Sequence, residues 1–308
     1  MRYIICILFL TLSLEASFTR VGNNWSEQRY APTLSVQEHF DRGYQLLSDK
    51  EWEEALCDFL VIGYHFNESP FYGDSIYYAG VCYYFLAHFD IADKYFSHYL
   101  NLGGSLKHFE KVFEFKYFIA EYYREGRKKH PFGIERLPRI ASGKKNALEL
   151  YDEVIASLPS REIAAKALYS KALFQRKKKE FKEGIESLQT LIRRFPTHHL
   201  AAEAYLTIGD IYLQQTRREA QNPDLIALAQ INAQHFAKSF PGDERIQKMD
   251  NCIISMEEVY AESLYDTARF FERMKKPQAS AIYYQETLNR YPHTKIAQKS
   301  QERLDKIK

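Results

Sequence analysis

The side chains that could hold a metal or attack a carbonyl are few and scattered. Cys6, Cys57, Cys82 and Cys252 share no CxxC spacing, so they build neither a zinc site nor a disulfide framework. They read as small apolar side chains, with a Cys57–Cys82 bridge open to them in an oxidising compartment. His198 and His199 are neighbours, and adjacent rings diverge rather than form a two-ligand face. No GxSxG, P-loop, HExxH or strand-following GxGxxG occurs. Most carboxylates lie near a Lys or Arg, as on solvated helix faces. These residues imply a protein that is no enzyme and uses no cofactor.

Aromatic chemistry remains. The chain has 23 Tyr and 21 Phe, and residues 71–99 are crowded with them. A phenol combines apolar area with a hydrogen-bonding tip, which suits the recognition of peptide segments. The net charge of +2 gives no pull toward nucleic acid.

The elements that must position these rings are helices. Glycine and proline are scarce, at 13 and 10 residues, and apolar positions recur every three or four residues, as in Ile185, Leu188, Leu191 and Ile192. Small and large residues then repeat in a fixed pattern. Gly43, Leu46, Ala55 and Phe59 form one unit, and Gly80, Tyr83, Ala92 and Phe96 the next, 37 residues on. A third has Ala120, Tyr123, Ala147, Tyr151 and Pro159; a fourth Ala172, Gly184, Leu188 and Pro196. The fifth shows Gly209, Tyr212, Ala229, Phe236 and Pro241, and the last Ala268, Phe271, Ser280, Tyr284 and Pro292. Small residues belong where two helix backbones approach, with large ones filling the gap beside them. The spacing predicts an all-α tetratricopeptide-repeat superhelix of five to six helix pairs over 35–308, opened by the capping box Ser35–Glu38.

In such a superhelix the first helix of each pair lines an inner groove. Fixed offsets from the small residues place Phe40, Tyr44, Tyr77, Tyr84 and Tyr117 there, although packing between repeats accounts for the same rings equally well. The last unit presents Arg269 and Glu272 instead, a candidate surface for a second partner. Two segments interrupt the period. Residues 124–145 carry eight Lys/Arg against two Glu; they read as a solvated loop or as a basic contact for a partner or for lipid head groups in a peripheral membrane association. Residues 215–225 form a shorter polar excursion.

Residues 3–14 are the one sustained apolar run. They are too short to span a bilayer of about 30 Å and fit a secretory signal ending near Ala16. An uncleaved anchor or a buried first helix are the competing readings. Residues 17–34 read as a flexible linker.

The last unit, from Ser263 to Thr294, resembles the final full repeat of the BamD family, tetratricopeptide lipoproteins of the outer-membrane β-barrel assembly machinery. The resemblance lies in Ala268-Arg269-Phe270-Phe271, the segment 279–281, and Tyr291-Pro292 with Thr294. Residues 36–100 are similar to that family's first two repeats, through Ser69-Pro70-Phe71-Tyr72 and Tyr83-Tyr84, and the family also has an insertion in its third repeat. The resemblance implies a periplasmic scaffold. In that family the N-terminal repeats are associated with unfolded β-barrel precursors and the C-terminal repeats with the barrel-inserting subunit. Its lipidated cysteine at the end of the signal has no counterpart, because Cys6 lies inside the apolar run. A coordinator of cell-envelope or peptidoglycan machinery and a secretion chaperone are the alternative readings of the same repeats.

Overall fold

A computed structural model describes residues 18–21, 24–27, 30–104, 106–134, 137–219, 222 and 224–307. The signal sequence read at 1–16 lies outside them. The described residues are predominantly helical, and none of their helices is long and apolar enough to cross a membrane. The chain divides into two compact units, one reaching Ala147 and the other starting at Leu148.

The first unit begins with two short antiparallel strands, β1 (Phe18–Val21) and β2 (Asn24–Glu27). The helices α1 (Val36–Ser48), α2 (Trp52–His65), α3 (Tyr72–Phe85), α4 (Phe89–Asn101) and α5 (Phe109–Arg124) follow. Ser35 and Glu38 close the expected capping box: Glu38 N–H donates to Ser35 Oγ at 3.3 Å and Ser35 N–H to Glu38 Oε2 at 2.9 Å. Within the stretch read as a flexible linker, the last residues are tied down. Tyr30 is buried and its carbonyl accepts from His65 Nε2 at 2.9 Å. The buried His39 accepts from the Thr33 and Leu34 amides through Nε2 and hydrogen-bonds Asp58 through Nδ1 at 2.7 Å.

The small-residue rule is visible in both pairs. A Cβ on Gly43 would lie 3.1 Å from Asp58 Cβ, and one on Gly80 only 2.9 Å from the Phe96 ring. Ala55, Phe59, Ala92 and Phe96 are completely buried opposite them. The turns inside the pairs carry Lys50 and Ala87 in the left-handed region, at φ 65° and 61°. There the next amide bonds back to the first helix, closing its carbonyls.

After α5 the excursion pairs β3 (Lys128–Lys129) with β4 (Ala141–Ser142) around a 3-10 turn at Pro131–Gly133. It is docked on the second repeat. The buried His130 meets Asp90 at 2.7 Å, Lys94 Nζ donates to the Gly133 carbonyl at 2.8 Å, and Arg139 donates to the Ala87 carbonyl.

The helix α6 (Lys144–Ser157) crosses the division at Ala147. The second unit then contains α7 (Glu162–Lys178), α8 (Phe181–Arg194), α9 (His199–Thr216), α10 (Asp224–Ser239), α11 (Ile246–Arg273), α12 (Pro277–Arg290) and α13 (Lys295–Ile307). Pro159, Pro196, Pro241 and Pro292 each stand two residues beyond a helix end, where a missing N–H costs nothing. Ser280 donates to the Ala268 carbonyl at 2.9 Å, marking close approach of α11 and α12. The fifth repeat departs from the simple pair. Gly209 faces Met249 of α11, whose Sδ would lie 2.7 Å from an added Cβ, so α9 packs on α10 and α11 together. With 28 residues, α11 serves two repeats: its first half closes the fifth and its second half pairs with α12. Glu258 of α11 also accepts the Lys295 and Ile296 amides, capping α13.

Candidate functional site

In the first unit, helices α1, α3 and α5 bring aromatic side chains from three repeats side by side. Their helical spacing turns one residue per turn to the same wall. Phe40 lies 4.8 Å from Phe71 and 6.2 Å from Tyr78, centroid to centroid, and Tyr44 meets Tyr78 edge-on at 5.6 Å. Further along, Tyr84 packs edge-on against Phe115 at 4.9 Å, and Tyr117 lies 5.6 Å from Phe118.

The predicted wall residues differ in access. Tyr44 is 49% exposed and open to a ligand. Phe40, Tyr84 and Tyr117 are half-buried. Tyr77 is buried, with its ring stacked on His108 at 4.0 Å and 7°; it supports the wall from beneath. Three residues outside the offset scheme stand on the surface of this unit: Tyr78, half-buried between Phe40 and Tyr44, and the exposed Phe85 and Phe118. Tyr78 and Phe118 both stand two residues before the small residue of their repeat, a position that the offset scheme leaves out.

The rings themselves are neutral, with Asp74 close to Tyr77 and Tyr78. Burial, with Tyr44 nearby, pushes the Tyr78 hydroxyl up to about 12. Burial likewise raises Tyr77 and Tyr84. It holds His108 below the usual imidazole range, against the opposing pull of Asp74. Tyr78 and Tyr84 therefore keep neutral hydroxyls on a largely apolar surface.

In the second unit Arg269 and Glu272 are engaged with each other and with their neighbours. Their closest atoms are 3.6 Å apart, Arg303 of α13 approaches Glu272 at 3.4 Å, and the hydroxyl of the buried Tyr284 donates to Glu272 at 2.8 Å. This network ties α11 to α12 and α13. A different face of α11 is open: Val259, Glu262, Ser263, Asp266 and Phe270 line a shallow cavity of about 550 Å³. Their spacing of three and four residues puts them on one stripe, acidic and apolar, that the repeat pattern did not single out. Among the described residues no group of His, Cys, Asp and Glu is arranged to hold a metal ion. Cys57, Cys82 and Cys252 are free thiols.

Comparison with known proteins bears on the second unit most directly. The family model described as YfiO, outer membrane lipoprotein, matches residues 141–307, more than half of the chain. No curated protein matches. Among solved structures, MamA from Desulfovibrio magneticus is 16% identical, with a TM-score of 0.39, covering 70% of this chain and 95% of that one. YrrB, a tetratricopeptide protein with an unusual peptide-binding site, is 12% identical at 0.39, covering 70% and 92%. A tetratricopeptide repeat protein from Parabacteroides merdae is 10% identical at 0.39, covering 88% and 98%.

Proposed function

The chain belongs to the YfiO family of BamD-like outer membrane lipoproteins, and on that premise we propose that it is an exported, periplasmic scaffold for outer-membrane β-barrel assembly. Its two units divide the work. The first takes extended, aromatic-rich segments of unfolded β-barrel precursors on the wall of Phe40, Tyr44, Tyr78 and Tyr117. The second carries the surface for the barrel-inserting subunit, centred on the acidic and apolar stripe of α11 rather than on Arg269 and Glu272 themselves.

The observation that supports this reading is the aromatic wall of the first unit, with Tyr44 half exposed beside Tyr78. An unfolded precursor offers alternating apolar side chains and unpaired backbone groups. Rings with neutral phenol tips satisfy both without demanding a charge partner. The stripe of α11 supports the second half of the proposal, since it is exposed on a helix otherwise packed by α9, α12 and α13.

Purified full chain is tested against an unfolded β-barrel precursor and, separately, against the periplasmic part of the barrel-inserting subunit. Tyr44→Ala combined with Tyr117→Ala is expected to weaken precursor binding by about tenfold, the worth of roughly 1.4 kcal/mol of lost ring contact, and to leave the subunit bound. Phe270→Ala with Asp266→Lys is expected to do the reverse. Precursor affinity unchanged by the first pair would remove the aromatic wall as the site.

A further inference from the structure

The excursion between α5 and α6 carries features that neither packing nor the proposed scaffold role uses. Beyond the two-residue ladder of β3 and β4, Phe132 is 92% exposed and Ile140 67% exposed, with Ile134 and Leu137 also at the surface. Four large apolar side chains over nine residues of an outward turn are costly to leave in water, at about 25 cal/mol for each Å². Phe132 is also held at φ 57°, a region that a bulky residue enters only under constraint.

The constraint is visible on both sides of the tip. His130 is buried against Asp90, Lys94 holds the Gly133 carbonyl, and Arg139 holds the Ala87 carbonyl. Both sides of the turn are thus anchored on the second repeat, with Phe132, Ile134, Leu137 and Ile140 exposed. Around it the charge is predominantly positive. Residues 124–145 have eight Lys/Arg against two Glu, in a chain whose total is only +2. Arg127, Lys128, Arg139 and Lys144 are all exposed, with Lys128 at the stem of the ladder and Lys144 where α6 begins.

We propose that this tip docks on an anionic phospholipid surface, with Phe132 and Ile140 entering the interfacial layer and the cations of the stem lying at head-group level. The pairing of a projecting apolar tip with a predominantly basic surround is what decides the occupant. A lipid surface meets both at once, the head groups supplying negative charge and the acyl boundary the apolar medium. A protein pocket for Phe132 would leave the spread of Ile134, Leu137 and Ile140 unexplained. Because both ends of the turn are already anchored, docking loses less conformational entropy than it would from a free loop. One such contact gives reversible binding and adds to any other membrane attachment the chain has. The inference stands apart from the proposed binding of precursors and of the barrel-inserting subunit.

The test uses full chain carrying Phe132→Trp and vesicles of phosphatidylethanolamine and phosphatidylglycerol with brominated acyl chains. Emission is compared with that of the parent chain, whose Trp25 and Trp52 set the background. Bromine is expected to quench the added indole on vesicles containing phosphatidylglycerol and not on phosphatidylcholine, with the effect declining as salt rises. Lys128→Gln with Lys144→Gln is expected to lower vesicle partitioning by about fivefold for each charge. Ile140→Ser, exposed and neutral to folding, is expected to lower it severalfold. Chain that sits on the vesicles with no added quenching at position 132 overturns the proposal. So does an indole shielded only when a protein partner is added.

Discussion

Gly80 and Gly63 offer a direct test of what sets the repeat pattern, because the same substitution should move stability in opposite directions. Both lie inside helices of the first unit, α3 and α2, so alanine gains about 1 kcal/mol of helix propensity at either site. At Gly63 the added methyl would meet only the far end of Ile76, at 3.4 Å, an ordinary contact. There the gain should appear almost whole. At Gly80 the methyl would stand 2.9 and 3.0 Å from two atoms of the Phe96 ring. That ring is fully buried and stacked on Phe115 at 5.1 Å, with Tyr77 at 6.2 Å, so it has nowhere to withdraw. Overpacking of this kind costs about 1–3 kcal/mol, which cancels or exceeds the propensity gain and leaves a net loss of up to about 2 kcal/mol. The assay is tryptophan fluorescence in urea. Both tryptophans precede Ala147, and Trp52 stacks on Phe85 at 4.3 Å, so the signal reports the first unit alone. A Gly80→Ala chain as stable as Gly63→Ala would refute the reasoning: the glycine would then mark something other than the approach of α3 to α4.

Three further expectations concern groups whose surroundings are now known. Glu272→Ala removes the acceptor of the buried Tyr284 hydroxyl and should cost about 1–3 kcal/mol, read by circular dichroism in urea, whereas Arg269→Ala should stay within about 1 kcal/mol. Arg245, through its guanidinium and its amide, holds the Asp243 carboxyl down to about 2 from an ordinary value of 3.8. A depressed carboxylate contributes stability above its unfolded value and loses it as pH falls through the folded one. Asp243→Asn should therefore flatten the stability profile between about pH 4 and 2; a profile as steep as the parent's counts against the ion pair. Burial pushes the Cys82 thiol up to about 12 and Cys252 up to about 11. Cys82 should resist a thiol reagent in native protein at neutral pH and react only as the first unit unfolds in urea, and rapid native labelling would contradict its burial.

The helix pairs were legible in the sequence because their determinants are local. A small residue, a large one three or four positions on, and a proline past the second helix together imply two packed backbones, and Gly80 over Phe96 or Ser280 under Ala268 is that implication made concrete. The aromatic wall was legible only in part. An offset from a glycine gives an azimuth on a helix, yet Tyr77 is covered by His108, a residue from the start of α5 that the offset ignores. Tyr78 emerges for the complementary reason, between rings of α1. Docking of the excursion was invisible, since it rests on His130 meeting Asp90 forty positions earlier, a pairing that carries no local signature. The length of α11 escaped for a different reason. A repeat rule expects a break between units, but the stretch from Ile246 to Arg273 contains neither glycine nor proline to make one.

That unbroken helix has a mechanical consequence. At 1.5 Å per residue its 28 residues form a strut of roughly 42 Å, gripped at one end by α9 and α10 and at the other by α12, with α13 capped from its middle by Glu258. Where separate helices would give two repeats a joint and some slack, here the two are joined by one continuous helix. A partner seated along the open stripe from Val259 to Phe270 would grip this strut along its second half, and any tilt it imposed would reach the fifth repeat through the same helix.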